Sequence, residues 1–358
     1  MTLSITKLGK NRNTWIEILR IVSMLLIFYH HCLMHGGMSW WSTYDVQDFF
    51  REAFYRVGKL GVIIYVLISG YVLVDSKFSW KRVIGFVIEI YLFSFAFFIV
   101  KQINEPMKIT WESMRPYIMP FSFNQYWFAS VYLLLYLASP IINLGVNTYG
   151  KKMLIPGIII LFALVSFIPS VYRPNTYVNG ILIFVLLYFI GAFIKRYPLK
   201  DLKWFKILFL IAALAIYSLV IIAAMNYAKA GKTNIFYHIG NILNNDNSPV
   251  SIVVGTLIVL FFTQLKPFSC RWVNILLSCS FEIYLIHDNP YVRTFIYKTV
   301  YNTKELPHTN TWTLQFMGIN FIKFLVVFAI ALACKVVYQF LVVDPINLIS
   351  NQITRKQK

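Results

Sequence analysis

Ten apolar runs, separated by shorter polar stretches, order this chain. They cover roughly residues 15–34, 58–75, 82–101, 126–144, 153–171, 179–194, 207–225, 250–265, 273–289 and 316–342. Most approach the length of about 20 residues that an α-helix needs to cross a hydrocarbon core. None alternates polar and apolar positions as a membrane β-strand does. The pattern predicts an all-α polytopic membrane protein of about ten transmembrane helices, with both termini on one side.

Composition agrees with that pattern. Of the 358 residues, 58% are hydrophobic and 13% are charged, where soluble domains carry about 25% charged residues. One integral-membrane domain accounts for residues 1–358, ending in a short basic cytoplasmic tail at 346–358. The nine tryptophans cluster near the ends of the runs, as an interfacial belt does.

The formal net charge of +19 changes the picture by setting orientation. With the N-terminus in the cytoplasm, eighteen Lys and Arg fall on the inside and twelve in the mostly longer outside loops. That density favours N-in and C-in. The same charge does not point to nucleic acid, because no basic stripe with interleaved aromatics lies in a soluble stretch. The lipid bilayer is the expected surrounding. Cys32, Cys270, Cys279 and Cys334 lie in or beside apolar runs without zinc or redox spacing. There is no HExxH, no paired carboxylate at ligand spacing and no GxSxG elbow, so no metal is expected. The basic start (Lys7, Lys10, Arg12) is followed by no small-residue cleavage site, so the first run reads as a retained helix rather than a signal peptide.

Candidate chemistry comes from the polar residues inside the apolar runs. The first run, WIEILRIVSMLLIFYHHCLM, holds Glu17, Arg20, His30 and His31. Ionisable groups at membrane depth cost several kcal/mol, so they face protein or a water-filled space and have a function. Eleven residues advance a helix by about 1100°, three turns plus about 20°, which puts Arg20 and His31 on one face about 16 Å apart. Glu17 lies one turn before Arg20 on that side, and His30 points about 80° away.

Four further stretches add to this seam. In GKLGVIIYVLISGYVL (58–73), Gly61, Ser69 and Gly70 permit close helix approach. The polar stretch DSKFSWKR after it carries Lys77, Lys81 and Arg82. At the start of the fourth run, NQYWFASVYLLLYLASP offers Tyr126 and Trp127, either as belt residues or as a stacking platform for a sugar. In LLSCSFEIYLIHDNP, Ser280, Tyr284, His287 and the following Tyr291 fall at i, i+4, i+7 and i+11, one stripe of a helix. Glu282 faces elsewhere, and Glu89 in the third run is expected to pair with a Lys or Arg. His31 and His287 sit near corresponding ends of their runs, so the two can share one cavity.

Together these stretches resemble the acyltransferase family 3 membrane proteins, bacterial O-acyltransferases that modify cell-surface polysaccharides. The likeness rests on Leu19–Arg20 with His31 eleven residues after the Arg, on Ser69–Gly70–Tyr71 closing the second helix, on the aromatic–Trp entry to the fourth, and on Ser280, Phe281, Tyr284, Leu285 and His287 in a late helix. It implies transfer of an acyl group, usually acetyl, from cytoplasmic acyl-CoA to a hydroxyl of a surface or exopolysaccharide glycan, in the bacterial cytoplasmic membrane. The donor would be acetyl-CoA or another acyl-CoA, and the acceptor a glycan.

His31 is the expected general base or transient acyl acceptor, since an imidazole titrates near neutrality. Arg20 would steer the donor's charge or stabilise an oxyanion, with Glu17 holding it. Lys77, Lys81 and Arg82 stand where the family carries an arginine cluster for donor phosphates. The later Arg of that cluster is absent here, and Lys keeps the charge without the bidentate geometry. Tyr126, Trp127, Tyr284 and His287 would position the acceptor. Some members carry an appended esterase-like domain, which this sequence does not show. The competing class is a transporter or exporter that uses Glu17, Arg20, His31, Lys323 and Lys335, although neither an inverted repeat nor paired broken helices are visible. A non-catalytic assembly partner is a third reading.

Overall fold

Polar side chains set where the first two helices begin. Asn13 accepts from the backbone N–H of Trp15 at 3.1 Å and opens α1 (Thr14–Gly36), which stops where Gly37 takes a positive φ of 84°. Asp45 accepts from the N–H of Asp48 and opens α2 (Val46–Leu73). Then follow α3 (Trp80–Asn104), α4 (Trp111–Ile118), α5 (Trp127–Tyr149), α6 (Lys151–Leu161, continued through a widened turn to Val171) and α7 (Asn179–Arg196). The chain continues with α8 (Phe205–Lys229), α9 (Pro249–Gln264), α10 (Arg271–Leu276), α11 (Ser280–His287), α12 (Pro290–Thr294) and α13 (Trp312–Tyr338).

The computed structural model describes residues 12–37, 44–171, 179–199, 205–231, 248–300, 302–307 and 309–348. Among them there is no strand. Seven helices are long and apolar enough to cross a membrane, so the chain is an all-α multi-pass membrane protein. These seven match seven of the ten predicted runs. The other three runs form shorter helices: α7, the 16-residue α9, and a run split by a tight turn at Leu277–Cys279 into α10 and α11. Residues 349–358 of the predicted basic tail lie outside the described residues, as do Lys7, Lys10, Trp40, Trp41 and Trp204.

Two predicted boundaries need correction. The second run was expected from 58, yet α2 begins at Val46. Its polar first half pairs internally, Arg51 with Asp48 at 2.7 Å and Arg56 with Glu52 at 2.7 Å. All four side chains are buried. Hydropathy counts such residues as loop, whereas i,i+3 and i,i+4 pairing keeps them helical. The stripe from Ser280 to Tyr291 also fails at its end. α11 stops at His287, and Tyr291 belongs to α12, which Pro290 starts afresh.

α1 lies along α2, and α2 packs on α7. Gly70 makes the second contact possible, since a Cβ there would stand 2.5 Å from the Tyr188 carbonyl oxygen. Large apolar side chains on α8 (Leu214, Leu219) and α13 (Leu314, Ile322, Val326) face outward, forming the surface that lipid covers. α1 and α11, which carry His30, His31, His35 and His287, lie inside this shell.

Candidate active site

The last two turns of α1 carry His30, His31 and His35, and the last residue of α11 is His287. Four of the chain's six histidines therefore converge. The His31 ring centroid lies 5.1 Å from His35, 5.2 Å from His287 and 5.6 Å from His30. His31 and His35 border a cavity of about 240 Å³ with Lys59, Trp127, Tyr284, Asp288 and Arg293. The cavity extends along α1 past Ile27 to Met24, one turn from Arg20.

Asp288, the residue after α11, is the carboxylate beside His31. His31 Nδ1 lies 3.7 Å from Asp288 Oδ1, beyond hydrogen-bond length but within ion-pair range. Asp288 is 2% exposed. Arg293 holds Oδ1 at 2.7 Å and the Asp288 carbonyl at 2.8 Å. His31 Nδ1 and Asp288 Oδ2 are both buried without a hydrogen-bond partner.

Two of the other three histidines, His287 and His30, are oriented by backbone. A carbonyl can only accept, so each Nδ1 facing one carries the proton. His287 Nδ1–H donates to the Ile283 carbonyl at 2.6 Å, and its ring packs on Phe28 at 5.6 Å between centroids. His30 Nδ1–H donates to the Tyr55 carbonyl. Gly58 makes room for that ring, for a Cβ there would run into it.

Predicted residues separate into three places. His31, Trp127 and Tyr284 share the cavity wall. His287 and Tyr126 lie just behind it. His287 is fully buried, and Tyr126, 1% exposed, takes a hydrogen bond from Asn289 at 2.8 Å. Arg20 and Glu17 form a second locus, bonded at 2.8 Å, with Arg12 3.7 Å from the same carboxylate. Tyr65 is an electrostatic neighbour of Arg20, and its hydroxyl lies 3.4 Å from Ser280. At the third, Lys81 and Arg82 border another cavity, of about 280 Å³, with Glu89 and Tyr338. Arg82 also meets Tyr132 in a small pocket of about 70 Å³. Lys77 is exposed in the turn between α2 and α3.

An ion pair fixes α11. Glu282, fully buried, meets Lys335 of α13 at 2.6 Å. Glu89 of α3 lies against the same carboxylate. This cluster ties three helices together two residues before Tyr284.

Sequence reading missed His35, Lys59, Asp288 and Arg293. His35 was legible, being i+4 from His31 and hence on its face. Asp288 and Arg293 gain meaning only when the chain turns at Asn289–Pro290. Sequence spacing also hid that His31, His35 and Asp288 offer ligand atoms within 4.8 Å of one another.

A family model described as an acyltransferase domain, Acyl_transf_3, matches residues 13–338. No curated protein and no solved structure matches the chain. The matched span contains α1, α11 and every cavity residue named above, and so this multi-pass membrane protein belongs to the acyltransferase 3 family.

Proposed function

We propose that this membrane acyltransferase is an O-acetyltransferase of the bacterial cytoplasmic membrane. It moves an acetyl group from cytoplasmic acetyl-CoA to a hydroxyl of an envelope polysaccharide. The observation that carries this reading is His31 on a cavity wall beside a buried carboxylate, with Trp127 and Tyr284 on the same wall.

A sugar hydroxyl attacks poorly until its proton is removed. His31 takes that proton as the oxygen adds to the thioester carbonyl. The C–S bond then breaks, CoA leaves as its thiolate, and the proton from His31 returns to sulfur. Asp288 stabilises the imidazolium formed in between, as a carboxylate does beside a catalytic His. Lys59 and Arg293 are the cations of this wall and face the developing oxyanion. Arg20 lies about 16 Å along α1 from His31, too far for that contact. Its part is with the donor, held in place by Glu17.

Lys81 and Arg82 attract the donor phosphates, and Lys77 adds charge at the entrance. Trp127 stacks on the acceptor ring, while Tyr284, buried against Phe128 and Phe281, supports the wall together with Tyr126 and His287. With the N-terminus inside, the donor residues face the cytoplasm and the histidine cavity faces out, so the acetyl group crosses along α1.

The test is NMR of surface polysaccharide purified from cells that express wild type, His31→Ala or Arg20→Ala at equal levels. Loss of O-acetyl on an intact polymer in both variants is the expected result. Full acetylation in His31→Ala overturns the base assignment, and loss of the polymer itself overturns the acyltransferase reading in favour of export.

A further inference from the structure

We propose that His31, His35 and Asp288 form a binding site for one divalent transition-metal ion of the zinc class, and that an ion bound there switches the transferase off. The argument starts from donor geometry. His31 and His35 lie at i and i+4 on one face of α1, their rings 5.1 Å apart. Asp288 reaches them from the far end of α11, and one donor atom from each residue lies within 4.8 Å of the others.

The 3.7 Å between His31 Nδ1 and Asp288 Oδ1 is long for a hydrogen bond. It is close to the spacing of two ligands on a tetrahedral ion, roughly 3.4 Å when each bond is about 2.1 Å. His31 Nδ1 and Asp288 Oδ2 are buried donor atoms without a hydrogen-bond partner, and the Asp288 side chain is 3% exposed. The buried Tyr284 hydroxyl is the polar neighbour of this carboxylate, yet it too is without a hydrogen-bond partner; buried polar atoms left unsatisfied call for an explanation, and a bound ion is one. Two imidazoles and one carboxylate select zinc, copper or nickel over magnesium or calcium. His31, His35 and Asp288 all line the cavity of about 240 Å³, which leaves room for a further ligand.

The surroundings decide which kind of site this is. Arg293 already occupies Asp288 Oδ1 at 2.7 Å, and Lys59 lines the same cavity. Their positive charge opposes a dication, so the ion comes and goes with its free concentration. A neutral imidazole has one lone-pair nitrogen, so a metal on His31 Nδ1 keeps the ring proton on Nε2 and leaves no basic nitrogen for general-base work. Site and base therefore exclude one another, which makes the ion an inhibitor. Only the inhibitory half rests on His31 being the base; binding itself does not.

The experiment uses full-length protein in lipid nanodiscs, cleared of metal by chelation and titrated with Co²⁺. Wild type should take one Co²⁺ per chain with the visible d–d absorption of a four-coordinate ion, displaced by one equivalent of Zn²⁺. His35→Ala and Asp288→Asn should each weaken Co²⁺ binding at least tenfold, with thermal unfolding verifying that they remain folded. No absorption in wild type, or unchanged binding in His35→Ala, overturns the site. Zn²⁺ should stop acetyl transfer over the range that fills the site, and EDTA should restore it. Transfer that continues with the site filled, or that requires the ion, overturns the inhibitory role.

Discussion

Asp288→Asn isolates the carboxylate that faces His31. The substitution removes one charge and keeps the shape, and the Asn oxygen still accepts from Arg293, whose second bond to the backbone carbonyl is untouched. The change therefore acts on His31 with little else disturbed. When His31 takes the acceptor's proton it becomes cationic 3.7 Å from Asp288. At an effective dielectric near 20, attraction at that range is about 4 kcal/mol. Arg293, on the same carboxylate, cancels part of it, leaving a net loss of about 2 kcal/mol in the transition state. That is roughly a 30-fold fall in kcat. The assay is release of CoA thiol by protein in nanodiscs supplied with acetyl-CoA and acceptor glycan. KM for acetyl-CoA should stay constant, because Asp288 is remote from Lys81 and Arg82. In a His31→Gln background, Asp288→Asn should add nothing, since both act through one proton transfer. A kcat within threefold of wild type, or equal losses in both backgrounds, would refute the pairing of Asp288 with His31.

Three other outcomes follow from the packing. Lys335→Met should destabilise the protein by about 3–5 kcal/mol by leaving Glu282 buried and uncompensated; thermal unfolding in nanodiscs measures it, and adding Glu282→Leu should recover most of the loss. Gly58→Ala should cost about 1–3 kcal/mol because the new methyl runs into the His30 ring, and the displaced ring should lower kcat as well. Arg82→Ala should raise KM for acetyl-CoA several-fold with kcat little changed, as loss of a phosphate contact used equally in ground and transition states does; a fall in kcat alone would contradict a donor role.

The fold class was legible because membrane helices announce themselves through apolar runs of fixed length. Seven runs became long helices. The exceptions have physical reasons. The first half of α2 hides from hydropathy because Asp48, Arg51, Glu52 and Arg56 neutralise one another on the helix. The late apolar run breaks at Leu277–Cys279, where the Ser278 hydroxyl donates to the Ile275 carbonyl at 2.7 Å and the turn tightens.

What the sequence by itself determined is the seam of α1. Helical periodicity alone places Arg20 and His31 on one face and sets Glu17 one turn from Arg20, and the 2.8 Å bond between Glu17 and Arg20 follows from it. Only the tertiary structure decided what His31 meets. His287 and Asp288 lie more than 250 residues away in sequence. They reach His31 because α11 is pinned by Glu282 to Lys335 and stops one residue before Asp288. Local periodicity says which side chains share a face; which faces meet depends on packing between helices far apart in the chain.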